Sequence, residues 1–328
     1  MLALNAIGHF LVDAICAATL LGGADDADLL PILLVYNTLA FSTQCLVGLV
    51  TDRIGRWGKL SAFACAVLGV CALLPLPAMG EAIFLGLGNS LFHVAAGSVT
   101  LSRSAGRAAP LGMFVAPGAV GLLAGRLLPG LRPVLAALLL GTAVLLLLAK
   151  EQPVPEKRED TVRERPSVSA LLLLAVAARA IGGTAAFFPW QTTAVATAAA
   201  VLCVFAGKAA GGWVCDRLGP RSAALLSLPA AALLIAFCGG NMPLSLLGQL
   251  LLNLSMPVTL WLLYREMPDA PGFSFGLAAS VLWPAQLSGQ LIAAADGMRW
   301  LWILLSFALG LFAILYTVKG EKACEETA

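Results

Sequence analysis

The stretch Gly48-Leu-Val-Thr-Asp52-Arg53-Ile-Gly55-Arg56-Trp-Gly-Lys-Leu60 is a short basic connection between two long apolar runs. A second version follows 164 positions later (48 to 212), where Gly212-Trp-Val-Cys-Asp216-Arg217-Leu-Gly219-Pro220-Arg221 again separates two apolar runs. Gly48, Asp52, Arg53 and Gly55 correspond one for one to Gly212, Asp216, Arg217 and Gly219. Two copies half a chain apart, each between hydrophobic segments, indicate an internally duplicated membrane protein.

Composition agrees. The 328 residues are 60% hydrophobic and only 12% charged, with a mean hydropathy of +0.92, whereas soluble domains carry about 25% charge. Runs of roughly 20 apolar residues recur, each long enough to cross a bilayer as a helix. The first run lacks a basic leader and is interrupted by Asn5, His9 and Asp13, so it reads as a retained span and not as a cleaved signal. The basic residues sit in short loops instead of on one face, which argues against nucleic-acid binding. The eight cysteines fall mostly singly within apolar runs and lack metal-site spacing. They read as small packing residues, with no metal site and no cofactor expected.

Hydropathy places twelve spans at 3–22, 29–50, 60–77, 80–102, 109–128, 132–149, 169–188, 191–214, 221–238, 243–264, 272–293 and 298–318. The expected fold is an all-α polytopic membrane protein of two pseudo-symmetric six-helix bundles, 1–149 and 169–328. Between them, the polar segment 150–168 reads as a hydrated linker. With the amino terminus inside, the inner loops collect Arg53, Arg56, Lys59, Arg103, Arg107, Lys150, Lys157, Arg158, Arg163, Arg165, Arg217, Arg221, Arg265, Lys319 and Lys322. The outer loops collect Arg126, Arg132 and Arg299. Fifteen cations against three put both termini on the cytoplasmic side of the inner membrane.

Twelve spans, a central charged linker and the repeated Gly-x-x-x-Asp-Arg-x-Gly element together resemble the major facilitator superfamily over the whole chain. The resemblance implies that Gly48, Asp52, Arg53, Gly55, Arg56, Arg103, Asp216 and Arg217 belong to an inner gate. It sets Asp52 against the amino end of the eleventh span near Pro271–Phe273, with Arg53, Arg56 or Arg103 as charge partners. Pro220 stands where the first copy has Arg56, which implies a weaker charge cluster in the second hairpin. The run Gly86-Leu-Gly88-Asn89-Ser-Leu-Phe-His93 resembles the fourth helix of fosmidomycin-resistance-type exporters and favours export of a small polar or anionic compound.

Ionisable groups at mid-membrane depth cost roughly 2.5–3.5 kcal/mol each and are functional candidates by default. Asn5, His9 and Asp13 recur every four residues on one face of the first span, as Asn89 and His93 do on the fourth. His9, His93 and Asp13 are the candidate proton-coupling residues, because histidine titrates near neutral pH and burial shifts a carboxyl. Arg179 offers a bidentate fork for an anion. Lys208, Asn5, Tyr36, Asn89, Gln249, Asn253, Trp283, Gln286 and Gln290 complete the expected solute-binding set. The function expected is proton-coupled, alternating-access transport of a small polar or anionic solute by a monomeric secondary transporter. The alternatives are a proton-driven multidrug efflux antiporter for apolar cations and, more remotely, a non-transporting sensor or an intramembrane enzyme.

Overall fold

The computed structural model describes residues 1–22, 26–150, 165–294 and 297–325, the side chains of 26–28 and 320–325 excepted. Most of the expected linker, 151–164, lies outside the described residues. Every regular element among those described is helical: α1 Leu2–Gly22, α2 Asp26–Asn37, a π-helical turn Thr38–Ser42, α3 Gln44–Ile54, α4 Trp57–Cys71, α5 Ala78–Ser102, α6 Ala109–Leu127, a 3-10 turn Pro129–Leu131, α7 Arg132–Leu148, α8 Pro166–Ala185, α9 Ala194–Phe237, α10 Met242–Glu266, α11 Pro271–Ser280, α12 Leu282–Ala294 and α13 Arg299–Glu325. Eight of these are long and apolar enough to cross a membrane, or nine when the pair around Ser42, bent by 42°, counts as one.

Proline and glycine explain where the helices depart from the hydropathy spans. The third was expected to run to residue 77, but α4 stops at Cys71. Pro75 and Pro77 restrict Leu74 and Leu76 to extended backbone, so the apolar run outlasts the helix. The eleventh breaks between α11 and α12, where Pro284 has no N–H to offer the carbonyl of Ser280 one turn back. The eighth and ninth merge into α9 except at Gly219, whose φ of 80° and ψ of 159° interrupt the helix. Only glycine adopts that conformation readily.

The chain forms two compact units. One comprises Met1–Ala105, Met113–Arg158 and Pro268–Trp283, and the other Gly106–Gly112, Glu159–Met267 and Pro284–Ala328. In the first unit, Ile15, Leu68, Leu85, Phe92 and Leu139 are fully buried. Gly121 and Gly125 of α6 let that helix lie directly on the Phe10 and Ala14 carbonyls of α1. In the second unit, Leu172, Leu228 and Phe307 are fully buried, and Gly207 and Gly211 of α9 abut the Leu250 and Leu254 carbonyls of α10. Such small-residue contacts are the normal packing device where lipid gives no hydrophobic drive. Each unit also holds an ion pair: Arg132 to Glu81 at 2.6 Å in the first, and a two-bonded Arg165–Glu266 pair in the second.

Candidate functional site

His9 and Asp13 stand one turn apart on α1, and α5 brings His93 to them. His9 Nε2 lies 2.9 Å from His93 Nε2 and 3.3 Å from Asp13 Oδ2. His93 Nε2 is 3.7 Å from Asp13 Oδ1. The other ring nitrogens are anchored on backbone: His9 Nδ1 is 2.7 Å from the Phe114 carbonyl and His93 Nδ1 is 2.9 Å from the Asn89 carbonyl. A carbonyl oxygen only accepts, so both Nδ1 atoms carry protons and each neutral ring turns a bare Nε2 lone pair towards its neighbour. Two lone pairs at 2.9 Å repel, so the pair needs a cation at that point.

A shell of neutral groups fixes this cluster. Asn89 Nδ2 donates towards Asp13 Oδ1 at 3.3 Å and lies 3.0 Å from the Tyr36 hydroxyl. The rings of His9 and His93 meet edge to face at 4.4 Å between centroids, with Phe114 at 4.9 Å from His9. Gly118 of α6 passes so close to His9 Nε2 and Asp13 Oδ2 that a Cβ there would overlap both. The spacing of His9, Asp13, Asn89 and His93 was visible in the sequence. The Phe114 carbonyl and Gly118 were not, because no periodicity marks a backbone oxygen or the need for an absent side chain.

The two basic connections each carry a helix cap. Asp52, at the end of α3, accepts from the Gly272 and Phe273 amides, both at 2.8 Å. Asp216 accepts from the Ala108 amide at 2.6 Å and the Ala109 amide at 3.0 Å. Adding 164 to 52, 108 and 109 gives 216, 272 and 273, so the chemical partners repeat with the sequence. The close approaches repeat too: Gly48 abuts Gly272 and Gly276 abuts Gln44, while Gly212 abuts Ala108 and Gly112 abuts Lys208. Gly55 and Gly219 end the two copies with φ of 67° and 80°.

The first amides of a helix have no intrahelical acceptor, and a carboxylate there is favoured by both hydrogen bonding and the helix dipole. That explains a difference from the expected charge cluster. Both Asp52 oxygens are already taken by amides, and Arg53 and Arg56 stand exposed. Arg103 turns to the Met1 sulfur at 3.1 Å. Nor does Pro220 weaken the second copy's cap, since Asp216 holds two amides just as Asp52 does. Arg217 lies over the Trp213 ring, 5.9 Å from its centre.

The remaining candidates are spread over both units. Asn5 is fully buried with neither amide atom bonded. In the second unit, Arg179 of α8 has a buried Nε with no hydrogen-bond partner, and so does the Gln249 amide nitrogen of α10. Asn253 donates to the Gln249 carbonyl of its own helix at 2.8 Å. Lys208, Trp283 and Gln286 are half-buried, and Gln290 is exposed. One group that hydropathy did not single out is Ser280. It donates to the Phe41 and Ser42 carbonyls and accepts from the Cys45 amide at 3.0 Å, filling the break between α2 and α3.

No family model and no curated protein matches this sequence. Solved structures do resemble the fold. The E. coli fucose:proton symporter FucP aligns at 15% identity and a TM-score of 0.71, covering 96% of this chain and 98% of that one. A second structure of FucP, described as a major facilitator superfamily transporter in the outward conformation, aligns at a TM-score of 0.69, with the same identity and coverage. A bacterial homologue of the iron transporter ferroportin, in an outward-facing state, aligns at 14% identity and 0.63 over 98% of this chain and 99% of that one. The chain therefore has the major facilitator fold, and with eight apolar helices it is a multi-pass membrane protein.

Proposed function

We propose that this major facilitator chain is a secondary transporter that moves a small polar or anionic solute by proton-coupled alternating access. The observation that carries the reading is the pair of carboxylate caps related by 164 positions, Asp52 on α11 and Asp216 on α6. Each cap ties the amino end of a helix from one half of the sequence to a helix from the other through hydrogen bonds that water can replace. Bonds of that kind suit a latch that must open in every cycle. In this reading the chain crosses the inner membrane twelve times with both termini in the cytoplasm. Gly219 divides α9 into two spans, α2–α3 and α11–α12 are single broken spans, and α4 is a short one. Two six-helix bundles, 1–149 and 169–328, are then joined by the 150–168 segment.

Arg179 supports an anionic solute, because the buried, unbonded Nε of its half-buried side chain is costly until an anion completes it. The unbonded amide groups of Asn5 and Gln249 support a solute with several polar groups. Lys208, Asn253, Trp283, Gln286 and Gln290 are the further candidates for contact with it. Proton coupling is assigned to His9, Asp13 and His93, and the convergence of both Nε2 atoms and the carboxylate supports that role. A thermal-shift screen of small organic anions and cations on purified protein tests the solute class. Anions should raise the melting temperature, and Arg179→Ala should abolish the shift. Stabilisation by apolar cations alone, unchanged in Arg179→Ala, would instead identify a multidrug carrier.

A further inference from the structure

We infer that His9, Asp13 and His93 form a binding site for a divalent transition-metal ion. Their donor atoms lie within 4.8 Å of one another. A tetrahedral ion with bonds of about 2.0–2.1 Å holds its ligand atoms about 3.3 Å apart. The two histidine Nε2 atoms are 2.9 Å apart, and each has an Asp13 oxygen near that spacing, Oδ2 at 3.3 Å from His9 and Oδ1 at 3.7 Å from His93.

The surroundings are those of a metal site. Each histidine presents Nε2 inward and gives its Nδ1 proton to a backbone carbonyl, the arrangement that fixes the tautomer of ligating imidazoles and raises their basicity. Asn89 orients the carboxylate. The three protein ligands leave at least one coordination position open, and the His93 and Asp13 side chains keep 12% and 20% of their surface accessible for an ion to enter. Two imidazoles with one carboxylate suit zinc, iron or cobalt over the oxygen-preferring magnesium and calcium.

The inference is independent of the solute and of the proton role proposed for this cluster. The test is a titration of tag-free purified protein with Co2+, read by its visible d–d absorption. One saturable equivalent with the intense bands of low-coordinate cobalt is expected, without thiolate charge-transfer absorption. Zn2+ should displace it, and Mg2+ and Ca2+ should not. Asp13→Asn and His93→Gln should remove the bands, and Asn89→Leu should weaken binding about 10–100-fold. Arg179→Ala should leave binding unchanged while abolishing the anion response, so the two readings fail separately. Absence of a saturable equivalent in the wild-type protein overturns the site without recourse to any variant. So does binding that survives in a folded Asp13→Asn protein.

Discussion

At the scale of single residues, the cluster on α1 and α5 is governed by what the outer ring nitrogens touch. With both Nδ1 protons committed to carbonyls, the inner nitrogens depend on a shared cation, and the crowding around them leaves no slack. Gly118 is the sharpest probe of that crowding. Gly118→Ala puts a methyl group onto His9 and Asp13, and overpacking of this kind costs about 1–3 kcal/mol. Thermal unfolding in detergent should show a lower melting temperature together with loss of proton movement. A stable, fully coupled Gly118→Ala protein would mean that the cluster is looser than described. The residues with chemistry were legible in the sequence because charged and polar groups are rare there and recur every four positions. Their partners were not, since Phe114 contributes through its backbone and Gly118 through having no side chain.

Helices and their ends form the next scale. The caps made by Asp52 and Asp216 each satisfy two orphan amides, and loss of a capping side chain costs about 0.5–2 kcal/mol. Asp52→Ala and Asp216→Ala should each lower stability by that amount. They should also raise the reactivity of cysteines introduced near residues 272 and 108 towards a cytoplasmic thiol reagent. Equal reactivity with and without the carboxylates would remove the latches from the account. Gly219 holds a backbone conformation in which a side chain strains the chain by about 1–3 kcal/mol. Gly219→Ala should therefore destabilise the protein far more than Gly141→Ala, where α7 is regular and a Cβ meets nothing. The 164-residue repeat was legible from four matched residues, and the amide partners at 108, 109, 272 and 273 follow the same offset. The break at Gly219 falls in the connection expected between 191–214 and 221–238, whereas hydropathy did not reveal the helix ends at Cys71 and Ser280. They follow from proline geometry, which interrupts a helix without interrupting an apolar run.

On the scale of the whole molecule, the pairs in the two units carry different risks. Glu266 is 3% exposed and held by two bonds from Arg165, and stripping one partner from a buried pair costs about 3–5 kcal/mol. Arg165→Ala should thus lower the melting temperature more than Glu266→Gln, which removes the buried charge itself. The all-helical fold was legible from composition and the repeat, and the structural resemblance to FucP spans nearly the whole chain. The unbonded Arg179 Nε and Gln249 amide nitrogen were not, because whether a buried polar atom finds a partner across helices leaves no mark in a linear pattern. The most direct test of transport is counterflow in proteoliposomes made from the purified chain and loaded with an anionic solute found by the stabilisation screen. The account predicts transient uptake of labelled solute against its gradient, lost in Arg179→Ala and accompanied by proton movement that Asp13→Asn abolishes. Labelled solute that enters no faster than in protein-free vesicles would contradict it.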